Sequence, residues 1–473
     1  MSTVVLVNPP LTLEERYGNL ARAGTSLPPL GLTILAAVLM EKGYDVRILD
    51  AAVLGLSYGA AVDWILRERP KYVGTTAVTI SIFNAAKLNM MLKERDSNIQ
   101  TIVGGPHVTA MPVDTLERFP QFDFCVVGEG EISLINMLNH LEGKGDLNDV
   151  GGIGFRNNGK VKFTGRIDFI KDLDTLPMDA WNLLPNFPHG YKSSVHKLGR
   201  FPTTSLITSR GCPGQCTFCD NLVFGRKVRG YSAKRVVDTI KYLVNRYGVK
   251  DVFINDDNFV ALRKRCREIC EMLLREKLNL TWGCYSRVDI VTKDLLKLME
   301  AAGCWRISYG LESGSQEVLD EIRKRETLEQ IEQAVRWTKE AGIRTKGFFM
   351  FGNPLETEQT LKKTLEFAKK LDLDDFHVSH LSPMPGCELY GNAEKYGTFD
   401  RDWKRLTGWH PVFVPYGVTK DMMEKYRKRA YLEFYLRPRI IWSYLKNIKT
   451  YADIRKLALG GYTLLKSSFT RNK

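Results

Sequence analysis

The chain has 473 residues, 44% hydrophobic and 26% charged, which is a globular composition long enough for two or three packed domains and free of collagen-like, disordered or disulfide-scaffold bias. No stretch approaches 18 uninterrupted apolar residues, and the start, MSTVVLVNPP, lacks a basic segment followed by an apolar run, so a membrane span and a secretory leader are not expected and the reading is cytoplasmic. Of the net charge of +14, +12 falls on residues 401–473, where 17 Lys/Arg face 5 Asp/Glu; this asymmetry argues against a nucleic-acid groove running through the molecule.

Residues 1–150 alternate short β-branched runs with amphipathic stretches, the pattern of parallel strands and crossover helices. Strand signals at 4–7, 46–49, 72–75, 101–103 and 124–127 predict an α/β domain with a flavodoxin-like, doubly wound parallel sheet. In such a sheet a ligand lies outside the carboxyl ends of the strands. Those ends carry Asn8 and Pro10, then Thr79 and Ser81, then Gly104, Gly105 and His107, and finally Gly128, Glu129 and Gly130. Glycine there permits close approach of backbone to a ligand, and is equally ordinary turn chemistry.

Residues 151–195 read as a hairpin around Asn157-Asn158-Gly159 followed by a Pro-, Asp- and Trp-rich connector. A second βα alternation then fills 196–400, with strand signals at 205–208, 251–255, 281–285, 305–309, 345–350 and 376–380. Six such units predict a partial, open (β/α)6 barrel. Beyond residue 400 the pattern is helical, basic and aromatic, and defines a last region, 401–473.

Nine cysteines in a reducing compartment should be thiols or metal ligands. Three of them, Cys212, Cys216 and Cys219, form CxxxCxxC directly after the first strand of the second unit, in a loop with Gly211, Pro213 and Gly214. Thiolates at this spacing can each take one iron of a cubane and leave the fourth iron open. A zinc site is the alternative, although zinc motifs usually present cysteines as paired CxxC. Cys266 and Cys270 share one helix face with no third ligand in view and read as packing, as do Cys125, Cys284, Cys304 and Cys387.

With Phe218 before its last cysteine, the motif resembles that of the radical S-adenosylmethionine (SAM) superfamily, over about residues 196–400. The resemblance implies that the open iron of a [4Fe-4S] cluster chelates SAM. An injected electron then releases a 5′-deoxyadenosyl radical, which takes hydrogen from an unactivated carbon. It further implies SAM contacts at Phe218, at Asp256 and Asp257 after the second strand, at Ser286 and Arg287 after the third, at Glu312 after the fourth and at Gly352 after the fifth. Each polar group among them could instead be a helix cap or a surface ion pair.

The preceding domain is similar to the cobalamin-binding domain of the cobalamin-dependent branch, through Val103-Gly104-Gly105-Pro106-His107, Val127-Gly128-Glu129-Gly130-Glu131 and Pro28-Pro29-Leu30-Gly31. The DxHxxG motif that supplies an axial histidine is absent, since the first strand ends in Asn8-Pro9-Pro10, so the resemblance implies cobalamin without a protein axial ligand there. The RNA methylthiotransferases, whose leading domain carries three further cluster cysteines, do not fit, because only Cys125 precedes residue 212.

The implied function is that of a class B-like, cobalamin-dependent radical SAM methyltransferase acting on a small-molecule, lipid or tetrapyrrole substrate. A low-potential donor such as flavodoxin or ferredoxin would serve it. Oxidative cyclisation or rearrangement with the same cofactors and a non-catalytic cobalamin or redox sensor stand as alternatives. No residue is singled out as a catalytic acid or base. The amphipathic stretches 426–444 and 448–466 suit either packing on the barrel or peripheral contact with the inner, anionic face of a membrane.

Overall fold

A computed structural model describes residues 2–18, 21, 24–165, 169–191, 200–446 and 461. Its first strand, β1 (Thr3–Asn8), is a continuous aliphatic run, Val4 to Val7, with relative exposure of 1% or less, as a strand covered on both faces must be. β2 (Asp45–Asp50), β3 (Tyr72–Thr76), β4 (Gln100–Gly104) and β5 (Phe124–Val126) join it in parallel in the order β2-β1-β3-β4-β5. This is the doubly wound order read from the sequence.

The hairpin expected within the connector is a continuation of that sheet. β6 (Ile153–Asn157) pairs antiparallel with β5, and β7 (Lys160–Phe163) with β6, so the hairpin covers an edge that would otherwise be open. The rest of the connector is packed inward. Leu173, Leu176, Trp181, Leu184 and Tyr191 are buried in one hydrophobic core that runs through both sheets. Polar contacts tie it at three points: Thr33 Oγ1 donates to Asp179 Oδ1 (2.8 Å), Ser232 N to Asp174 Oδ1 (2.9 Å) and Tyr191 Oη to Asp50 Oδ2 (3.2 Å).

The second sheet is entirely parallel. β8 (Thr203–Leu206) is followed by a short antiparallel ladder, β9 (Ser209–Arg210) with β10 (Arg229–Gly230), which closes the base of the cysteine loop and has no counterpart in the sequence reading. β11 (Asp251–Ile254), β12 (Thr281–Ser286), β13 (Cys304–Glu312), β14 (Arg344–Phe351) and β15 (Asp375–His380) then follow side by side in chain order, giving the open six-stranded barrel. Its crossover helices are amphipathic and sharply ended: in Ala233–Tyr247, Ser232 caps the start by accepting from Arg235 N, and Gly248 ends it in the left-handed conformation.

Helix Lys420–Tyr435 lies along the free edge of the barrel. Tyr435 Oη donates to Phe376 O (2.8 Å) and Tyr431 Oη to Val378 O (3.1 Å), so two tyrosines satisfy edge groups of β15. Tyr431, Phe434 and Tyr435, which could have faced a membrane, therefore pack on the barrel. The following helix, Pro438–Lys446, leaves Ile441, Trp442 and Leu445 exposed. The stretch 448–466 lies outside the described residues apart from Gly461.

Candidate functional site

The cysteine loop leaves β9 at Gly211, whose φ of +90° and crowded surroundings admit no side chain: a Cβ would stand 2.6 Å from Lys227 O. Backbone bonds then hold the loop from three sides, Cys212 N to Gly225 O (3.3 Å), Thr217 N to Ile322 O (3.1 Å) and Leu389 N to Thr217 O (2.9 Å). The thiols converge. A Cβ placed on Gly214 would lie 3.4 Å from Cys212 Sγ, 3.9 Å from Cys216 Sγ and 3.6 Å from Arg287 Nη1, so glycine leaves open a small cradle between them. Cys219 joins them, its thiol pushed up to about 12 by burial and by the neighbouring Cys216 and Cys212. Burial also raises Cys216, against the lowering influence of Lys324 and Arg287. Cys216 and Cys219 so placed resist ionisation unless a cationic group sits among them. Among the described residues no three His, Cys, Asp or Glu side chains close around one metal ion. Thiolates that each bind a different iron of a cubane need no such common point.

Charged side chains form a second ring beside the loop. Lys324 Nζ is 3.3 Å from Glu312 Oε1 and 3.7 Å from Glu326 Oε2, and Arg287 Nη2 is 3.2 Å from Glu326 Oε1 and 2.9 Å from Asp289 Oδ2. Glu312 adopts φ +63°, a left-handed conformation uncommon for a non-glycine residue, at the bulge that ends β13. Burial raises the Glu326 carboxyl to about 7, against the pull of Lys324 and Arg287.

Of the residues expected to meet SAM, Arg287 and Glu312 thus share one neighbourhood with the cluster ligand Cys216. Phe218 is half-buried and packs on the core, and Asp257 lines the large cavity described below. Three others are held by bonds within the protein. Asp256 points into the protein, where it accepts from Thr208 N, Thr208 Oγ1 and Ser209 Oγ beside Arg265. Ser286 Oγ donates to Arg287 O (3.0 Å). Gly352 donates its N–H to Glu356 Oε2 (2.6 Å), and a Cβ there would collide with Met423 Cε at 2.5 Å.

Between the two sheets lies a cavity of ≈ 820 Å³. Its wall on one side is the carboxyl end of the first sheet, including Thr79, Gly104, Gly105, Gly128, Glu129 and Gly130; on the other it is Leu206, Ile207, Asp220, Asn221 and Asp257 around the cysteine loop. Gly105 (φ +104°) lets two loops touch, since a Cβ would stand 2.7 Å from Ala77 O. Asn8, Pro10, Ser81 and His107 do not line the cavity. Asn8 Nδ2 donates to Asp50 Oδ1 (2.8 Å), the Pro10 carbonyl accepts from Asn84 Nδ2 (2.9 Å), Ser81 Oγ accepts from Val78 N (3.1 Å), and His107 packs edge-on against Trp403 with ring centroids 4.4 Å apart.

Sequence reasoning did not find the buried clasp that joins the two walls. Arg210 Nη2 is 2.5 Å from Glu131 Oε1, Arg210 Nη1 is 3.2 Å from Glu129 Oε1, and Arg229 Nη2 is 2.8 Å from the same oxygen. Glu129 Oε2 also accepts from Ile170 N (2.8 Å). Arg210 immediately precedes the cysteine loop, so the clasp ties that loop to the Gly128-Glu129-Gly130 turn. The signal available in the sequence was an arginine adjoining the motif and a Glu-Gly-Glu whose first glutamate was read as facing a ligand. Lys324 gave no signal at all.

Residues 206–368 match the family model of the Radical SAM superfamily, and residues 18–137 that of the B12 binding domain. An uncharacterised methyltransferase of Pyrococcus horikoshii is 33% identical over 420 residues, 88% of this chain and 90% of its own length. The anaerobic magnesium-protoporphyrin IX monomethyl ester cyclase of Rubrivivax gelatinosus is 31% identical over 424 residues, 86% of this chain and 75% of its own length. Among solved structures, the cobalamin-dependent SAM radical enzyme OxsB, with aqua-cobalamin and SAM bound, superposes with a TM-score of 0.76 at 20% identity, covering 99% of this chain and 72% of OxsB.

Proposed function

Because the chain belongs to the cobalamin-dependent branch of the radical SAM superfamily, we propose that it methylates an unactivated carbon of a small molecule, with a [4Fe-4S] cluster, SAM and cobalamin as cofactors. The observation that carries this reading is the meeting of the two halves: one cavity is walled by the glycine loops of the first sheet and by residues of and around the cysteine loop. A methyl carrier and a radical source have to face a common substrate, and this arrangement provides the space.

The residues present suit these groups. Cys212, Cys216 and Cys219 would hold the cluster, with Arg287, Glu312, Phe218 and Asp257 near enough to meet SAM. Thr79, Gly104, Gly105, Gly128 and Gly130 would meet the corrin. When bound, these groups supply reductive cleavage of SAM and a transferable methyl group. The chain contributes position, charge and exclusion of water: Lys324 and Arg287 hold positive charge against Cys216, and the clasp fixes the loop against the opposite wall. In balance, two SAM, two electrons and R–H give R–CH3, S-adenosylhomocysteine, methionine and 5′-deoxyadenosine, the last carrying the hydrogen taken from the substrate. A low-potential donor such as flavodoxin or ferredoxin supplies the electrons.

Methyl transfer is favoured over cyclisation because the methyltransferase relative shares 90% of its length with this chain and the cyclase 75%. Peripheral attachment to an anionic lipid surface belongs to the same reading. Exposed Ile441, Trp442 and Leu445 adjoin Arg439 and Lys446, although among the described residues no helix is long and apolar enough to cross a membrane. Co-sedimentation with phosphatidylserine vesicles that is lost in Trp442→Ser supports attachment, and no sedimentation at low salt refutes it.

The site is tested by replacing each of Cys212, Cys216 and Cys219 with alanine after anaerobic reconstitution. Wild type should hold about four irons per chain and form deoxyadenosine with dithionite and SAM; each variant should lose both. Full iron content and activity in any of the three would remove that cysteine from the cluster.

A further inference from the structure

The barrel lumen is hollow. In a filled barrel the inward side chains are as buried as the outward ones. Here the outward residues Cys284, Ile307, Tyr309, Phe349, Phe351 and Val378 are 0% exposed, while of the inward residues, Tyr285, Lys346, Phe348, Met350, His377 and Ser379 keep part of their surface and Arg306, Ser308 and Asp375 beneath them are buried. The inward face is therefore open above Ser308 and closed at its base.

Its wall is aromatic and continuous. Ring centroids step from Tyr285 to Phe348 (6.1 Å), Phe348 to His377 (5.5 Å), His377 to Trp409 (5.4 Å) and Trp409 to Tyr17 (6.5 Å). The last two rings line the large cavity, so the wall runs from the lumen into the space between the domains. Extended ring surfaces of this kind favour flat apolar molecules.

Its floor is polar and carries more positive than negative charge. Lys346 Nζ lies 3.0 Å from Asp375 Oδ2 and 5.2 Å from the Phe348 centroid, and Arg306 and Arg344 stand below. Among the described residues three cations thus face two carboxylates, Asp375 and Asp251. Ser308 sits on the same inward face, in register with Tyr285 and Lys346, since its neighbour Tyr309 turns outward to Thr338. Ser308 is 1% exposed, and its Oγ has no hydrogen-bond partner among the described residues. A buried hydroxyl so placed is short of a partner that a ligand can supply.

We propose that the lumen receives a flat, largely apolar substrate ending in a carboxylate, its ring system against Tyr285, Phe348, His377 and Trp409 and its carboxylate on Lys346 and Ser308. This rests on the radical SAM reading for why a substrate should enter the barrel, but its test does not depend on turnover. Full-length, cluster-loaded protein is titrated anaerobically with 1-pyrenebutyrate and, separately, with 1-pyrenebutanol, and binding is followed by pyrene fluorescence. The acid should bind about tenfold tighter than the alcohol, as one charge-assisted hydrogen bond allows. Lys346→Met should abolish the preference, Ser308→Ala should reduce it without disturbing the ion pair, and Phe348→Ala should weaken both probes alike. Retained cobalamin and cluster absorbance show that each variant is folded. Equal affinities in wild type, or a preference that survives both Lys346→Met and Ser308→Ala, overturns the proposal. Deoxyadenosine formation without probe preference sinks this inference alone; selective binding without deoxyadenosine sinks the functional reading and leaves this one standing.

Discussion

Adjacent acids in one motif have opposite fates here. Asp256 and Asp257 both follow β11, and nothing in their spacing says which one faces the ligand, because successive side chains of an extended segment point to opposite sides. Asp257 lines the cavity, while Asp256 is buried among three donors and Arg265. Asp256→Ala should therefore act first on the fold. Removing one partner of a buried charge pair costs about 3–5 kcal/mol, which denaturant unfolding of the apoprotein would show before any cofactor is added. His107 is a second case. Burial against Trp403 lowers it to about 4, so the folded protein holds it neutral while the unfolded chain protonates near 6.5. Stability should accordingly fall as pH drops from about 6.5 to 4, by up to about 3 kcal/mol from this residue. His107→Phe, which keeps the ring contact, should flatten that part of the profile; an unchanged slope would show that His107 titrates normally.

Between elements, the structure depends on contacts that hydrophobic pattern does not encode. The parallel strands of both sheets were legible because such strands are unbroken apolar runs, whereas the antiparallel extension of the first sheet by β6 and β7 was not. The β9–β10 ladder, two residues on each side, is too short to leave a pattern, and it supplies Arg210 and Arg229 to the clasp. Glu129→Gln would leave two buried guanidiniums short of a charge. It should lower stability by about 3 kcal/mol or more and loosen the cysteine loop, which limited proteolysis near residue 211 would detect. Tyr431→Phe and Tyr435→Phe remove hydroxyls that cap the edge of β15. Each should cost about 1 kcal/mol in thermal unfolding, and no loss in either would mean that water serves that edge equally well.

Across the whole molecule, a mixed sheet and a parallel one share one core and enclose the cavity between them. The cysteine motif and the two βα alternations carried this far from sequence, since each is local in the chain. The connector's burial, the hollow lumen and the tyrosine-capped edge were not legible, for they arise from residues far apart in the chain that meet only in the folded state. The basic tail divides likewise: its aromatic residues up to Tyr435 belong to the barrel, and the exposed apolar face begins only with the helix Pro438–Lys446. The central claim is methyl transfer by a radical route. It is tested most directly by one anaerobic incubation of the cobalamin- and cluster-loaded enzyme with methyl-deuterated SAM, a reductant and an extract of small molecules. Mass spectrometry then follows S-adenosylhomocysteine, deoxyadenosine and any product gaining the labelled methyl. Both SAM-derived products should form in equal amounts, together with a labelled product; deoxyadenosine formed with no S-adenosylhomocysteine and no labelled product would rule methyl transfer out.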